Sequence, residues 1–141
     1  MGVTLKSKNF SVDMGYGGFN NLRKKIAELS GEEFGEHYKE LDKAMFLPDE
    51  RREEFYNRYN KKTDELIKEK LITAEIANFC YQSDCEGSID KRQAKEIYEK
   101  IKNYEDNICY GYAGLPDCAM FSDIKNIFKD CAENGKKIKW I

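Results

Sequence analysis

A glycine-rich segment followed by basic residues is the part of this sequence best suited to bind an anion. The segment Gly15-Tyr16-Gly17-Gly18-Phe19 precedes a predicted helix, and three cations follow in its first turns: Arg23, Lys24 and Lys25. Glycines leave backbone N–H groups accessible, and a helix N-terminus adds about half a positive charge. The alternative is a flexible turn before a solvated basic helix, since the spacing matches neither a Walker loop nor a dinucleotide fingerprint. We predict a phosphate or carboxylate site formed by Gly17, Gly18, Asn20, Arg23 and Lys24.

A second segment, residues 110–116, is rich in tyrosine and glycine. Tyrosines on a permissive backbone offer a large contact area at little entropic cost, and they stack readily on nucleobases. We therefore predict that Tyr110 and Tyr112 contact the base of a ligand or a protein partner. The alternative is a buried loop whose tyrosines cover the core.

The nine residues from Gln82 to Asp90 have the pattern of a calcium loop without its end ligands. Asp84, Glu86 and Gly87 occupy the third, fifth and sixth positions, but the first and twelfth positions are Gln82 and Gln93. An EF-hand needs carboxylates there, and a bidentate glutamate at the twelfth position above all. We predict a tight charged turn that does not bind calcium. Asp84 remains a ligand-binding candidate, although a turn-forming role also explains it.

The single histidine, His37, offers little for catalysis or metal binding on its own. Glu33 lies four residues before it on the same helical face, but no second histidine completes a metal site. No Ser-His-Asp or Cys-His arrangement is evident from the spacing. The pattern predicts an exposed helical residue, with neither a metal nor another cofactor.

Composition limits the class of protein. The chain has 141 residues, 35% of them charged, and a net charge of −2, which gives no overall attraction to nucleic acid. Five cysteines, an odd number at irregular spacing, indicate free thiols in a reducing cytoplasm. No apolar run is long enough to cross a membrane, and we expect a cytoplasmic protein with no membrane partner.

Hydrophobic periodicity predicts the elements. Alternating apolar residues at both ends indicate strands around Val3 and Leu5, from Phe10 to Met14, and from Lys136 to Ile141. Helical spacing predicts helices from about residue 21 and over most of the chain between, with caps at Thr73, Asp90 and Ser122 and a stop at Gly135. We predict an α+β fold, a mostly helical single domain over 1–141 with a small sheet formed by the N- and C-terminal strands.

Three segments resemble a loose group of small proteins from bacteria and their phages that have no assigned activity. The matching segments are Met1-Gly2-Val3-Thr4-Leu5, Gln82-Ser83-Asp84-Cys85-Glu86-Gly87 and Ala132-Glu133-Asn134-Gly135. The group often has histidine where this chain has Gln82, which argues against a metal or acid–base role for the turn. The resemblance implies terminal strands in one sheet with helices packed on it, and a phage context.

Together these features favour binding over catalysis. The expected function is sequestration of a nucleotide or another phosphorylated small molecule, as in a phage-encoded anti-defence protein. One alternative is a module that blocks a host protein through an acidic helical face, and Phe55 with Tyr59 could form the seam of a homo-oligomer. Another alternative is a small enzyme that acts on a phosphorylated substrate, with Asp84 or His37 as the acid or base. Nucleic acid is not an expected partner.

Overall fold

Strands from both ends of the chain pair in one antiparallel sheet. The computed structural model describes residues 2–110 and 119–141. Its strands are β1 (Gly2–Lys6), β2 (Ser11–Gly15), β3 (Gly87–Ile89) and β4 (Ile138–Trp140), in the order β2-β1-β4-β3. The first and last strands are neighbours, with Leu5 opposite Trp140 and Lys6 opposite Lys139. The predicted α+β fold with a sheet built from both termini is confirmed, whereas β3, from the middle of the chain, was not predicted.

Helices form most of the remaining described chain. They are α1 (Tyr16–Ser30), α2 (Glu32–Lys39), α3 (Asp49–Lys68), α4 (Ala74–Tyr81), α5 (Lys91–Ile101) and α6 (Phe121–Asn134), with a 3-10 helix over Glu40–Phe46. Thr73 caps α4, and Asp90 and Gln93 form the predicted capping box of α5. Gly135 ends α6 with a φ of 83°, a left-handed conformation that glycine adopts without strain. The predicted cap at Ser122 is wrong. The N-cap is Met120 and α6 begins at Phe121, so Ser122 lies inside the first turn of the helix.

The first helix begins earlier than the sequence predicts. Residues 15–19 were expected to form a flexible loop, but α1 starts at Tyr16 and includes Gly17 and Gly18. The reason is Phe19, which is fully buried with its ring centroid 6.1 Å from Phe79 and 5.6 Å from Trp140. Burying a phenylalanine contributes about 1.5–3 kcal/mol, which offsets the helical penalty of Gly17 and Gly18, roughly 1 kcal/mol each.

The helices cover one face of the sheet and leave the other open. Val3, Leu5 and Met14 point into the core, as do Ile138 and Trp140 from the last strand. Trp140 lies among the rings of Phe19 and Phe79, and the buried hydrophobic residues of the described segments other than Ala44 and Tyr59 form one cluster. That residues 1–141 form a single domain stays a prediction.

Helix α3 lies at the periphery. Of its 20 residues, only Tyr59, Thr63 and Leu66 are buried. In the described residues, no helix combines the length and apolar character required to span a membrane.

Candidate functional site

A concave surface lined by four lysines lies where the first and last strands meet. We call it the lysine cleft. Its volume is about 370 Å³, and it is lined by Lys6, Ser7, Lys136, Lys137 and Lys139. One wall is the end of β1, and the other is the segment that leads from α6 into β4. The cleft therefore exists only because the two termini pair.

Asp130 on α6 holds both walls of the lysine cleft in place. Its carboxylate accepts hydrogen bonds from the Ser7 hydroxyl at 2.7 Å, the Asn9 backbone N–H at 2.8 Å and the Asn9 side chain at 2.8 Å. Asn134 donates to it at 2.7 Å and in turn accepts from the backbone N–H of Lys136 at 2.8 Å. One buried carboxylate thus links the β1–β2 turn to the start of the C-terminal segment.

The charge of Asp130 is compensated by these donors. Its desolvation raises the pKa of the carboxyl group, but the hydrogen bonds from Asn9, Ser7 and Asn134 outweigh it, and the pKa lies below its ordinary value. Asp130 is therefore ionised at neutral pH and fully engaged with polar hydrogens. It accepts no hydrogen bond from any of the four lysine side chains of the cleft within the described residues.

The lysines of the cleft have no carboxylate partners. All four are exposed, and none has an ion pair within 4.0 Å among residues 2–110 and 119–141. Lys6 and Lys139 even stand directly opposite each other across β1 and β4. Like charges at such positions destabilise a sheet. A bound anion would remove this repulsion.

A second basic cleft of about 470 Å³ adjoins the first and shares Lys137 with it. It is lined also by Lys91, Arg92 and Lys95 from the first turns of α5, together with Asp90 and Gly135. Arg92 forms an ion pair with Glu75 at 3.3 Å, which reduces the net positive charge of this second cleft. The strongest unpaired charge lies at Lys6, Lys136, Lys137 and Lys139.

This arrangement is suited to binding phosphate groups. Lysine ammonium groups bind phosphate as point charges, each with three donors. The volume falls near the lower end of the range for small-molecule sites, about 300–1,000 Å³. The described lining holds no histidine, cysteine or carboxylate.

Sequence patterns alone did not identify this cleft. Lys6 and Lys139 each alternate with buried residues in their own strand, which is the ordinary pattern of a half-exposed strand. The signal becomes visible only once the two strands are paired, because pairing places both lysines on the open face. The lysines of residues 136–139 were interpreted only as part of a closing strand.

The structure turns Arg23 away from the glycines of the predicted anion site. Its guanidinium is buried against the ring of Phe19, 4.9 Å from the centroid, and donates to the carbonyl oxygens of Gln82 at 2.5 Å and Phe79 at 3.4 Å. These carbonyls end α4, where the helix dipole favours a cation. Arg23 thus connects α1 to α4, and its guanidinium is buried instead of facing the predicted anion site.

The other members of the predicted anion site lie on the first turns of α1. Gly17 and Asn20 are exposed and Gly18 is half-buried. Lys24 forms an ion pair with Asp42 at 2.7 Å, which joins α1 to the 3-10 helix. The structure therefore leaves the backbone N–H groups of this helix end without the two neighbouring cations that were expected to support a ligand. Anion binding at Gly17, Gly18 and Asn20 stays a prediction.

Tyr110 is a core residue. It is 5% exposed, and its ring packs on Phe121 with a centroid distance of 5.6 Å. Burial, together with Tyr104 and Glu28, raises the pKa of its hydroxyl to about 12. Its ring is therefore covered and not available to stack on a base. Tyr112 lies outside the described residues, so its predicted contact stays a prediction.

The turn that contains Asp84 is built around Trp140. The indole Nε1 donates to the carbonyl oxygen of Ser83 at 3.0 Å, and a Cβ at Gly87 would overlap the indole ring. Gln82 closes the turn by bonding both the carbonyl oxygen and the N–H of Ser88, at 2.7 and 3.1 Å. Asp84 is half-buried and accepts a contact from the Cys85 thiol at 3.4 Å. The glycine in this turn thus makes room for a tryptophan ring.

His37 is buried, not exposed as its position on α2 suggested. Only 2% of the residue is exposed, since its ring stacks on Tyr59 with centroids 3.8 Å apart and planes inclined by 14°. Nε2 and the Thr63 hydroxyl lie 2.7 Å apart. No hydrogen bond or ion pair joins His37 to Asp84 in the described residues, so the two acid–base candidates are not brought together.

Comparison with other proteins adds no constraint on function. No family model, curated protein or solved structure matches this chain. In the described segments, no group of three or more histidine, cysteine or acidic side chains is placed to hold a metal ion. The geometry of the clefts is therefore the basis for the functional proposals below.

Proposed function

We propose that this protein binds, without transforming, a small ligand that carries two or more phosphate groups, and that the lysine cleft is its binding site. The observation that supports this most is the convergence of four lysines without carboxylate partners, in the described residues, around one cleft. Sequestration of a phosphorylated signal in an anti-defence context is one biological role that such a binder would fill.

Several phosphates fit the cleft better than one. The lysines come from two separated stretches of chain, the end of β1 and the segment 136–139, so their charges are spread over both walls. A single phosphate would leave part of this charge uncompensated. A chain of phosphates would contact both walls and relieve the repulsion between Lys6 and Lys139. Because the lysines are exposed, affinity should fall steeply with added salt.

A thermal-shift panel tests this proposal. Inorganic phosphate, pyrophosphate, tripolyphosphate, nucleoside triphosphates and sugar bisphosphates would be added to wild type at two salt concentrations. A ligand that binds only the folded protein raises its melting temperature. At a ligand concentration of one hundred times the Kd, the free energy of unfolding increases by about 2.7 kcal/mol. We expect stabilisation that grows with the number of phosphates and decreases with salt. If no member of the panel stabilises the protein at low salt, the proposal is wrong.

One observation favours a protein partner as a second candidate function. Met45 and Phe46, at the end of the 3-10 helix, are 75% and 86% exposed, and Tyr56 on α3 is 43% exposed. Met45 and Phe46 are neighbours in the chain, and adjacent exposed large apolar side chains often mark protein interaction sites. This corner differs from the acidic helical face considered in the sequence analysis. Substitution of Met45 and Phe46 by serine should abolish capture of a protein partner while leaving phosphate binding unchanged.

A further inference from the structure

A pocket of about 310 Å³ lies between α2, the 3-10 helix and α3. We call it the His37 pocket. Its aromatic wall consists of His37, Phe55 and Tyr59, and its cations are Lys43, Arg58 and Lys62. Its walls share no residue with those of the lysine cleft. It therefore has to be explained separately.

The aromatic wall is a continuous stack. Tyr59 lies between the ring of His37, at a centroid distance of 3.8 Å, and the ring of Phe55, at 6.1 Å, with interplanar angles of 14° and 24°. Phe55 is half-buried, which places an apolar ring at the pocket surface. Flat aromatic surfaces of this kind bind the ring of a ligand by stacking, worth about 1–3 kcal/mol for a nucleobase.

The cations lie beside this wall. Arg58 and Lys62 are four residues apart on α3, on one face of the helix, and Lys43 comes from the 3-10 helix. Like charges at this spacing destabilise a helix slightly. None of the three has a carboxylate within 4.0 Å in the described part of the chain, although Glu40 also lines the pocket. The pocket thus carries a net positive charge next to an aromatic surface.

The wall also contains an unexplained polar group. His37 Nδ1 is buried and has no hydrogen-bond partner in the described residues, whichever ring nitrogen carries the proton. Its ring is otherwise fixed by Thr63, whose hydroxyl lies 3.3 Å from that of Tyr81, and the Tyr81 and Tyr59 hydroxyls are 2.7 Å apart. Buried polar atoms without partners are uncommon in native proteins and cost about 1–3 kcal/mol.

We propose that the His37 pocket binds a small aromatic anion of the nucleoside monophosphate class. The ring of the ligand stacks on the half-buried ring of Phe55, which Tyr59 supports from behind, and its phosphate lies between Arg58, Lys62 and Lys43. The volume of the pocket, about 310 Å³, lies at the lower end of the range for small-molecule sites and suits one ring system with one phosphate. This site does not depend on the function proposed for the lysine cleft.

His37 provides a specific signal for the test, because it is the only histidine of the chain. AMP, GMP, CMP and UMP would be titrated into 15N-labelled protein while the ring resonances of His37 are followed by NMR. Ribose 5-phosphate, which has the phosphate without the base, is the matched ligand control. We expect at least one nucleotide to shift the His37 resonances in a saturable way, with ribose 5-phosphate at least tenfold weaker.

Variants locate the site. Arg58→Gln should weaken nucleotide binding about tenfold to hundredfold, the effect of losing one charge-assisted hydrogen bond. Arg51→Gln, also exposed on α3 and outside the pocket, is the matched control and should bind as wild type does. The double variant Lys6→Gln/Lys139→Gln should also retain nucleotide binding.

Three results would overturn the proposal. They are no saturable binding of any of the four nucleotides to wild type, binding that leaves the His37 resonances unmoved, and binding that is lost in Lys6→Gln/Lys139→Gln but kept in Arg58→Gln. Arg58 is exposed, so its replacement should leave the fold intact, and a melting curve of each variant checks this.

Discussion

Lys6 and Lys139 are direct cross-strand partners in the antiparallel pair of β1 and β4, although 132 positions separate them in the chain. Both side chains are exposed on the open face of the sheet. In a sheet optimised for stability alone, an opposite charge at one of these positions would be favoured. The repulsion is concentrated where the lysine cleft opens, which is why we associate it with anion binding.

Reversing one of these charges should separate stability from binding. Lys6→Glu converts the like-charged pair to an opposite-charged pair, and we expect the free energy of unfolding to rise by about 0.2–1 kcal/mol. Binding of multiply phosphorylated ligands should be lost at the same time. Urea denaturation and calorimetric titration measure the two effects. Lys68→Glu makes the same change of charge at an exposed position on α3, and it should neither raise the free energy of unfolding nor abolish binding. If both variants have the same effects, the role assigned to the Lys6–Lys139 pair is contradicted.

Asp130 should hold the lysine cleft together. It accepts four hydrogen bonds, and those to a charged group contribute about 1.5–3 kcal/mol each before non-additive effects. Asp130→Ala should lower the free energy of unfolding by at least about 2 kcal/mol, since Ser7 and Asn9 lose their anchor. Glu133→Ala on the same helix is the control. Glu133 is exposed, and its ion pair with Lys129 is long, at 4.0 Å, so its loss should change stability little.

The same carboxylate should make stability depend on pH in the acidic range. The folded state lowers the pKa of Asp130 below its ordinary value of 3.8, so on acidification the unfolded chain takes up the proton first. Its contribution is therefore complete above the unfolded pKa and is lost as the pH falls through the folded pKa. Wild type should lose more stability than Asp130→Ala between about pH 5 and pH 2. Parallel pH curves for the two proteins would count against this assignment.

Two glycines should respond in opposite ways to alanine. At Gly87 a Cβ would overlap the ring of Trp140, and that ring is held by Ser83 and packed on Phe19. Overpacking of this kind costs about 1–3 kcal/mol, so Gly87→Ala should lower the melting temperature clearly. At Gly17 a Cβ would meet no atom within 4 Å, and Gly17→Ala in α1 should stabilise by up to about 1 kcal/mol. Thermal melts of both variants test this prediction. An unchanged melting temperature for Gly87→Ala would contradict it and would show that the turn can move away from Trp140.

Patterns in the sequence predicted the elements better than the sites. The capping box of Asp90 and Gln93 and the glycine stop at Gly135 depend on residues a few positions apart, so local chemistry determines them. The start of α1 depends on the packing of Phe19 against Trp140, a contact that spans the chain. Local propensity for a glycine-rich loop was overridden there by burial.

The two cations of the predicted anion site, Arg23 and Lys24, have other partners for a similar reason. Arg23 looked like a surface cation at a helix start, but the end of α4 offers it two backbone carbonyl oxygens that no local pattern announces. The lysine cleft was missed because its two walls are far apart in sequence, and each alone resembles an ordinary exposed strand. Cys80 and Cys131 are buried on the apolar faces of their helices, which depends only on local periodicity.

His37 should make the protein less stable in mildly acidic solution. Burial, the largest influence, lowers the pKa of its ring below the ordinary value of 6.5; Lys62 acts in the same direction, and Glu40 and the Tyr59 backbone oppose it. The unfolded chain therefore binds a proton at a higher pH than the folded protein does. The contribution of neutral His37 to the free energy of unfolding is complete above the unfolded pKa of about 6.5. It is lost as the pH falls from that value to the lower pKa of the folded state. Denaturation curves at pH 7.5 and 5.5 should differ for wild type and coincide more closely for His37→Gln.

Calorimetric titration with tripolyphosphate is the most direct test of the central claim, that the lysine cleft binds multiply phosphorylated ligands. Tripolyphosphate has no aromatic ring and therefore cannot stack on the aromatic wall of the His37 pocket. Three proteins should be compared at low salt: wild type, Lys6→Gln/Lys139→Gln, and the control Lys61→Gln/Lys68→Gln, which removes the same charge from exposed positions on α3. We expect one saturable site in wild type and in the control, and at least hundredfold weaker binding in the cleft variant. Equal binding by the two double variants, or no binding by wild type, would contradict the claim.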